Sequence, residues 1–521
     1  MTKKGKILWV DDEIELLRSH IIFLEERGYE VSKVTNADDA IALISQQSFD
    51  MVLLDEMMPG KDGLTALGEI KEKHPSLPVV MVTKSEEESL MENAIGGKID
   101  DYLTKPVNPS QILLTCKRIL ESKKITGERI SRDYISEFNE ISQSLLGPLD
   151  WRDWIKIQTR LSEWEVETDQ HRDLGLKQTL RDQERDCNVE FAKFVENNYP
   201  LWLHNSEDPP PFSTDLIEKY LAPLLRENRN VVFLVIDNLR TDQWFAIEPL
   251  LYPYFNIKKD FYFSILPTAT PFSRNAIFSG LFPSEIEKRH PELWKQGDDD
   301  ERSLNRYEHQ LLDLQLKDLE IDLKPASKYV KIIDVKEARN TVNKISSYSN
   351  IPLLAIVVNF VDILAHSRSD SEVLREITPD ESAYRSLTKS WFDHSYIFQI
   401  IKELARRNNT VIITTDHGSI RCMRGAKVKG DRVTSKNLRY KFGRNVKADP
   451  KQAIIVKEPA VYKLPSRGIN SNYLIAKEDY YFVYPTNYHH YLNQYRDSLQ
   501  HGGVSMEEMI LPVVTLEPKG E

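Results

Sequence analysis

The sequence predicts an α/β protein with an N-terminal parallel sheet, a helical middle and a second, larger α/β domain. Over residues 6–120, short apolar runs alternate with stretches of helical periodicity, which is typical of a parallel sheet covered by helices. Residues 122–205 lack strand-like alternation and contain few Gly or Pro. From residue 212 onward the apolar runs return, and several of them end at an Asp or a His.

The composition narrows the class of protein. A chain of 521 residues, at about 150 residues per domain, corresponds to about three domains. The chain has 40% hydrophobic and 29% charged residues, and this composition excludes a long disordered or collagen-like protein. The 3 cysteines lie far apart, which excludes a disulfide scaffold and a Cys-based zinc finger. A net charge of -11 argues against bulk electrostatic binding of nucleic acid.

The presence or absence of targeting signals and membrane-spanning segments in the sequence determines the expected location of the protein. No apolar run approaches the roughly 18 residues that a membrane helix needs. The start of the chain does not have the pattern of a signal peptide. We therefore expect a cytoplasmic protein without a membrane span.

Polar residues follow the predicted strands of the first segment at matching ends. The predicted strands are Ile7–Val10, Tyr29–Val34, Met51–Leu54, Val79–Val82 and Ile99–Leu103. Three carboxylates at one sheet edge suit Mg²⁺, and a carboxylate can accept a phosphoryl group. The alternative, acidic residues that only cap helices, does not account for their joint placement. The residues concerned are Asp11 and Asp12 after the first strand, Asp55 after the third, Thr83 after the fourth and Lys105 after the fifth.

These residues resemble the receiver domain of two-component response regulators, which has a flavodoxin-like fold, over nearly all of residues 1–121. The resemblance implies that a sensor histidine kinase phosphorylates Asp55. It also implies a Mg²⁺ site at Asp11, Asp12, Asp55 and the Met57 carbonyl, phosphoryl-binding positions at Thr83 and Lys105, and a switch aromatic at Tyr102.

Residues 122–210 are predicted to form a helical bundle or linker. Tyr134, Phe138, Ile141 and Leu145 recur at helical spacing, and several tryptophans continue the apolar pattern. This pattern fits a plain hydrophobic core, but it also fits a bundle that couples the first domain to the third, or a dimer seam. The prolines at 209–211 mark the end of the segment, because they cannot continue a helix.

The third segment, 211–521, carries a possible metal site. Asp and His side chains are suitable zinc ligands, and two zinc ions about 4 Å apart can stabilise both the attacking and the leaving oxygen in phosphoryl transfer. The predicted strands Asn230–Ile236, Pro352–Phe360 and Thr410–Thr415 run into such residues. The candidates are Asp237, Asp362, His366, Asp416, His417 and, near the C-terminus, His501.

Thr270 is the candidate nucleophile. It precedes Pro271 at a predicted helix start, where its hydroxyl would lie near backbone donors. Arg274, four residues later, lies on the same helical face and could bind phosphate oxygens. A plain helix cap at Thr270 is the alternative, and the two roles are compatible.

Residues 230–515 resemble the PglZ-type branch of the alkaline-phosphatase superfamily. The resemblance implies a zinc-dependent phosphodiesterase or phosphatase with two Zn²⁺, one held by Asp237, Thr270, Asp416 and His417, the other by Asp362, His366 and His501. Thr270 would be the nucleophile. Where the related nucleotide phosphodiesterases carry an asparagine, this chain has Ser273 and Arg274, so the preference for monoesters or diesters stays open.

The whole chain resembles the PorX-type response regulators. This resemblance implies a nucleotide or oligonucleotide phosphoester substrate, a homodimer on phosphorylation, and a link to type IX secretion with a secretion-system component or a sigma factor as partner. Two alternatives are a non-catalytic interaction protein and a transcription regulator, each with a structural metal domain. We see no helix-turn-helix pattern that would support DNA binding.

A basic stretch, from Arg421 to Arg444, follows the proposed metal ligands. It contains nine Lys or Arg against a single acidic residue, Asp431. It would either attract an anionic substrate or form a solvated loop. Tyr440 and Phe442 within it offer rings for stacking on a base.

Overall fold

The computed structural model describes residues 4–84, 99–171, 175–294, 305–348, 350–430, 437–466, 471–486 and 488–519. The chain divides into two compact units, Met1–Ile135 and Ser136–Glu521. Among the described residues, no helix combines the length and the apolar character needed to cross a membrane.

The first unit contains a parallel sheet whose strands match the predicted ones to within a few residues. Its order is β2-β1-β3-β4-β5, where the strands are β1 (Gly5–Val10), β2 (Tyr29–Val34), β3 (Met51–Asp55), β4 (Val79–Thr83) and β5 (Asp101–Thr104). The described α-helices that begin in this unit are Arg18–Glu25, Ala37–Gln46, Gly63–Lys73, Pro109–Cys116 and Ser122–Ser144, the last of which continues into the second unit.

Alternation along β1 explains how this sheet is covered on both faces. Leu8 and Val10 pack in one hydrophobic core, whereas Ile7 and Trp9 pack in the other. Successive side chains of a strand point to opposite faces, so the apolar run Ile7–Val10 requires a core on each side. The polar residues are therefore left to the strand ends.

The middle helices Trp151–Gln170 and Lys177–His204 belong to the second unit. Trp154 and Phe191 are buried, with ring centroids 5.2 Å apart. Phe191 also lies 6.1 Å from Phe263 of the large α/β domain, and Asn188 donates a hydrogen bond to Glu507. The interpretation as plain core thus holds for these positions, because they pack against the domain that follows.

The central sheet of the second unit is mixed. Its order is β7-β18-β10-β6-β9-β8, with β10, β6, β9 and β8 parallel and β7 and β18 antiparallel to their neighbours. The described residues of this unit also form three smaller sheets of two or three strands. The strands are β6 (Val231–Ile236), β7 (Phe255–Phe263), β8 (Lys328–Ile332), β9 (Leu353–Val358), β10 (Thr410–Thr414), β11 (Ile420–Cys422), β12 (Arg424–Lys427), β13 (Tyr440–Arg444), β14 (Ala453–Val456), β15 (Ser471–Ala476), β16 (Tyr480–Val483), β17 (Ser498–Gln500) and β18 (Ile510–Pro518). Beyond the middle helices, its described α-helices are Ala222–Arg226, Thr241–Ile247, Thr270–Ser279, Pro283–Arg289, Glu308–Asp318, Val335–Lys344, Phe360–Asp370, Glu372–Ile377, Glu381–His394, Tyr396–Arg406, Tyr488–Tyr495 and Met506–Met509.

One strand prediction differs from the structure, and one candidate ligand follows a strand outside the central sheet. The predicted strand Pro352–Phe360 is shorter, because a helix already begins at Phe360. Asp362 and His366 therefore lie one helical turn apart on that helix rather than at a strand end. His501 follows β17, which pairs with β11 in a separate two-stranded sheet and not with the central sheet.

Candidate phosphoacceptor site and metal centre

The carboxylates Asp11 and Asp55 meet Lys105 at the carboxyl end of the N-terminal sheet. The Lys105 ammonium lies 2.8 Å from Asp11 Oδ2 and 2.9 Å from Asp55 Oδ2. Burial raises the pKa of Asp55, against the lowering effect of Lys105. Asp12 is exposed beside them and completes a group of three carboxylates that could hold a metal ion. The predicted acidic group is thus assembled in one place.

The remaining predicted residues of this site have distinct environments. The Thr83 hydroxyl donates a hydrogen bond to the carboxylate of Glu56, a residue that the sequence patterns did not single out. Met57 and Tyr102 are exposed. Their roles as carbonyl ligand and switch aromatic stay predictions.

Asp237, Asp416 and His417 converge in the second unit, at the ends of the adjacent strands β6 and β10. All three are buried. His417 Nε2 lies 3.6 Å from Asp237 Oδ1 and 3.7 Å from Asp416 Oδ2. The Thr270 hydroxyl lies 2.9 Å from the same nitrogen, at the start of the helix Thr270–Ser279. We call Asp237, Asp416 and His417 the first cluster.

Asp362, His366 and His501 form a second cluster. His366 Nε2 lies 3.1 Å from His501 Nε2, and Asp362 Oδ1 lies 3.4 Å and 3.6 Å from those two nitrogens. The helical spacing of Asp362 and His366 brings their side chains to the same helix face. The predicted ligand pair is thus positioned by the helix.

The two clusters adjoin each other. The imidazole rings of His417 and His501 stack with centroids 4.1 Å apart. Asn238, which follows Asp237 and has a φ of 65°, donates a hydrogen bond to Asp362 Oδ1 over 3.2 Å. A left-handed backbone is more accessible to Asn than to most residues, and here it directs the Asn238 amide toward the second cluster.

The donor atoms of the first cluster fit a divalent cation. Among the described residues, Asp237 Oδ1 and both carboxylate oxygens of Asp416 are buried without a hydrogen-bond partner. His417 Nδ1 lies 3.2 Å from the Gly418 carbonyl, which can only accept, so the proton belongs on Nδ1 and the lone pair on Nε2. Orphaned carboxylate oxygens and an imidazole lone pair are the ligands that zinc takes.

The protonation equilibria reflect this crowding of acidic groups. Burial raises the pKa of Asp237 well above its usual value, and the nearby Asp416 charge raises it further. Burial raises the pKa of Asp416 to about 6, against the lowering effect of Arg274. Burial also lowers the pKa of His417, which favours its neutral, ligating form.

Arg274 contacts the first cluster at Asp237. Its guanidinium donates to Asp237 Oδ2 over 2.6 Å and to Glu308 over 2.5 Å, and its side chain is 2% exposed. The structure therefore pairs Arg274 with carboxylates. Its predicted contact with phosphate oxygens stays a prediction.

Three arginines of the basic stretch are held in ion pairs. Arg421 pairs with Asp497, and Arg424 pairs with Glu478 and Asp479. Arg439 is fully buried against Glu508. The idea that the whole stretch attracts an anion is therefore wrong for these three arginines.

The proposed stacking surface also differs from the prediction. Tyr440 is buried edge-on against Phe272, with centroids 5.5 Å apart, so its ring is not accessible to a base. Residues 431–436 of the stretch, including Asp431, lie outside the described part of the chain.

Both sites define a class of protein: a phosphoacceptor domain of the response-regulator type joined to an alkaline-phosphatase-like domain. Comparison with known families agrees. Residues 7–117 match the response regulator receiver domain, 124–203 the PorX response regulator linker domain, and 216–516 the BREX system PglZ alkaline phosphatase-like domain. The chain belongs to the PglZ family, and the order of its three matches is that of PorX-type response regulators.

Curated relatives share a smaller part of the chain. The transcriptional regulatory protein ResD of Bacillus subtilis is 37% identical over 119 residues, which is 23% of this chain and 49% of ResD. The alginate biosynthesis transcriptional regulatory protein AlgB of Pseudomonas aeruginosa is 36% identical over 124 residues, 24% of this chain and 28% of AlgB. This chain thus spans half or less of each of these relatives.

Solved structures with a likeness to this chain include the receiver domain of NtrX from Brucella abortus. It is 35% identical, with 22% of this chain and 98% of that one covered and a TM-score of 0.21. A receiver domain protein from Methanospirillum hungatei is 30% identical, with 23% and 96% covered and a TM-score of 0.22.

Proposed function

We propose that this chain is a response regulator, phosphorylated on Asp55 by a histidine kinase, whose C-terminal domain is a zinc-dependent phosphodiesterase acting on nucleotide-type phosphoesters. The observation that carries the hydrolase assignment is the pair of adjoining Asp/His clusters with Thr270 at their edge. The Asp237, Asp416 and His417 set with Thr270 would hold one Zn²⁺, and the Asp362, His366 and His501 set the other.

Two bound zinc ions would lower the pKa of the Thr270 hydroxyl and offset the charge that develops on the phosphoester oxygens. The chain itself supplies the positioning. Thr270 is nearly buried at a helix N-terminus, where backbone amides and the helix dipole favour an anionic phosphate. The N-cap is Ala269 rather than Thr270, and Pro271, the second helical residue, lies in the first turn, where its missing N–H costs no helical hydrogen bond.

The proposed reaction is a double displacement at phosphorus. The Thr270 oxygen forms a bond to phosphorus as the P–O bond to the leaving alcohol breaks, and that alcohol departs with a proton. Water then attacks phosphorus, the Thr270–phosphorus bond breaks, and Thr270 regains its proton. This sequence gives one phosphate monoester and one alcohol for each diester hydrolysed.

The test is hydrolysis of bis-p-nitrophenyl phosphate by Thr270→Ala, compared with the wild type. Removing the nucleophile should lower kcat by at least about 10³-fold, since losing a covalent catalyst typically costs this much. The matched control is Thr341→Ala, a buried threonine outside the site whose hydroxyl bonds to the Glu337 carbonyl of its own helix. Turnover by Thr270→Ala equal to that of the control would refute the nucleophile.

A parallel assay with p-nitrophenyl phosphate tests the ester preference. A higher kcat/KM for the diester supports the phosphodiesterase assignment. A higher value for the monoester would make the domain a phosphatase and refute the diester preference.

A further inference from the structure

A buried carboxylate, Glu308, is linked to the first cluster through Arg274. It is 1% exposed at the start of the helix Glu308–Asp318. Its Oε1 accepts hydrogen bonds from Arg274 Nε over 2.5 Å and from Asn305 Nδ2 over 2.9 Å. Glu308 is therefore anchored to two groups that both reach the candidate site.

Through Arg274, Glu308 reaches the metal-ligating carboxylate Asp237. Arg274 Nη1 donates to Asp237 Oδ2 over 2.6 Å, and Asn359 Nδ2 donates to the same oxygen over 2.6 Å. Two donors thus hold Oδ2. The other oxygen, Oδ1, faces His417 Nε2 at 3.6 Å. The hydrogen bonds to Oδ2 fix which oxygen of Asp237 is presented inside the cluster.

Through Asn305, the same carboxylate reaches the nucleophile. Asn305 Nδ2 also donates to the backbone carbonyl of Thr270 over 3.1 Å. The second oxygen of Glu308 accepts a hydrogen bond from the Tyr329 hydroxyl and lies 3.5 Å from the Lys331 ammonium. Glu308 is held at both oxygens, so its own orientation is fixed.

The charges indicate why Arg274 needs this anchor. Arg274 Nη1 lies 2.6 Å from Asp237 Oδ2 and also 3.8 Å from Asp416 Oδ2. A guanidinium held only by these carboxylates would be drawn toward the space that a metal ion requires. Glu308 binds the guanidinium at Nε, a different nitrogen from the Nη1 that contacts Asp237, and offsets its charge.

We propose that Glu308 is a positioning residue: it holds Arg274 on Oδ2 of Asp237, so that Oδ1, together with Asp416 and His417, is presented to a divalent metal ion. The catalytic consequence rests on the proposed function, whereas the effect on metal binding does not. The alternative is a purely structural role, in which Glu308 and Arg274 form a buried ion pair that only stabilises the fold.

The variant Glu308→Gln of the full chain keeps the shape and removes the charge. We expect zinc affinity at one of two sites to fall about 10- to 100-fold, measured by competition with a chromophoric chelator, because partners of metal ligands typically contribute this much. Affinity at the other site should stay unchanged. In the Co²⁺-loaded protein, the visible absorption spectrum should change.

Glu248→Gln is the matched control. Glu248 is also buried, and it also accepts hydrogen bonds from a tyrosine hydroxyl, of Tyr252, and from a lysine ammonium, of Lys259. It lies outside both clusters. A loss of zinc affinity in Glu308→Gln but not in Glu248→Gln supports positioning, because a general loss of stability would affect both variants.

Wild-type zinc affinity and an unchanged Co²⁺ spectrum in folded Glu308→Gln would overturn the inference. If this variant does not fold, Tyr329→Phe removes one hydrogen bond to Glu308 and keeps every charge. It should weaken zinc binding by less than 10-fold, yet more than the control, and an affinity equal to that of the control would overturn the inference. Wild-type protein that binds zinc without hydrolysing the diester would refute the proposed function alone.

Discussion

Removing one partner of the buried pair Arg439–Glu508 should lower the free energy of unfolding by about 3–5 kcal/mol. Arg439 Nη2 lies 2.6 Å from Glu508 Oε2, and both side chains are 0% exposed. Arg439→Leu leaves the carboxylate buried without its cation. The Gly503 amide, 2.8 Å from Glu508 Oε1, would still donate to it and offsets only part of the loss.

The assay is urea denaturation of the metal-free chain, followed by tryptophan fluorescence. The double variant Arg439→Leu/Glu508→Leu removes both charges, so it should lose less than the sum of the single variants. The control is Arg407→Leu. It breaks a pair of 2.8 Å with Glu403 in which the side chains are 33% and 30% exposed. That loss should not exceed about 0.5 kcal/mol.

A loss in Arg439→Leu no larger than that in Arg407→Leu would refute this reasoning. Additive losses in the double variant would do the same, because they would show that the two buried charges do not stabilise each other.

Two further predictions concern the switch and the loop that holds His417. Beryllofluoride should double the sedimenting mass of the wild type but leave Asp55→Asn monomeric, since Asp55 is the proposed phosphoacceptor; a wild type that stays monomeric would contradict the dimer. Gly418→Ala should lower kcat/KM for the diester about 100-fold, because the added Cβ would lie 2.0 Å from the Glu507 carbonyl oxygen and the loop would have to move. The control is Gly147→Ala, whose added Cβ would lie 3.7 Å from the Ser144 carbonyl oxygen. Unchanged kcat/KM in Gly418→Ala would show that the loop tolerates the shift.

The strand ends of this protein could be predicted because each carries a local signal. An apolar run such as Val231–Ile236, followed at once by Asp237, can be recognised as a strand end without knowing which strands lie beside it. The β10 strand and Asp416 show the same pattern. Parallel strands then bring such residues to one edge of the sheet. Asp11, Asp55, Asp237 and Asp416 were predictable for this reason, whereas Asp362 lies on a helix.

Residues that act through long-range contacts carry no such signal. Glu308 meets Arg274 across 34 residues of sequence, and its helix has an ordinary amphipathic pattern. Asn359 offered a weak signal, because it directly follows β9, but an amide at a strand end has many uses. Their importance becomes apparent only when Asp237 Oδ2 is seen to accept from Asn359 and from Arg274, the residue that Glu308 binds.

The basic stretch shows the opposite error. The positive charge of this stretch is evident from the sequence, but the ion pairs of its arginines involve acidic residues far along the chain. Arg439 pairs with Glu508 across 69 residues, and Arg421 pairs with Asp497 across 76. Counting like charges in a sequence therefore overestimated the charge that this stretch presents to a ligand.

Metal stoichiometry measured together with hydrolysis tests the central claim most directly. Zinc should be counted by mass spectrometry in the wild type, in Asp416→Ala from the first cluster and in His366→Ala from the second. The expected result is two zinc ions per wild-type chain, one in each variant, and diester hydrolysis by the wild type alone. Hydrolysis by metal-free protein, or two zinc ions retained in both variants, would contradict the account.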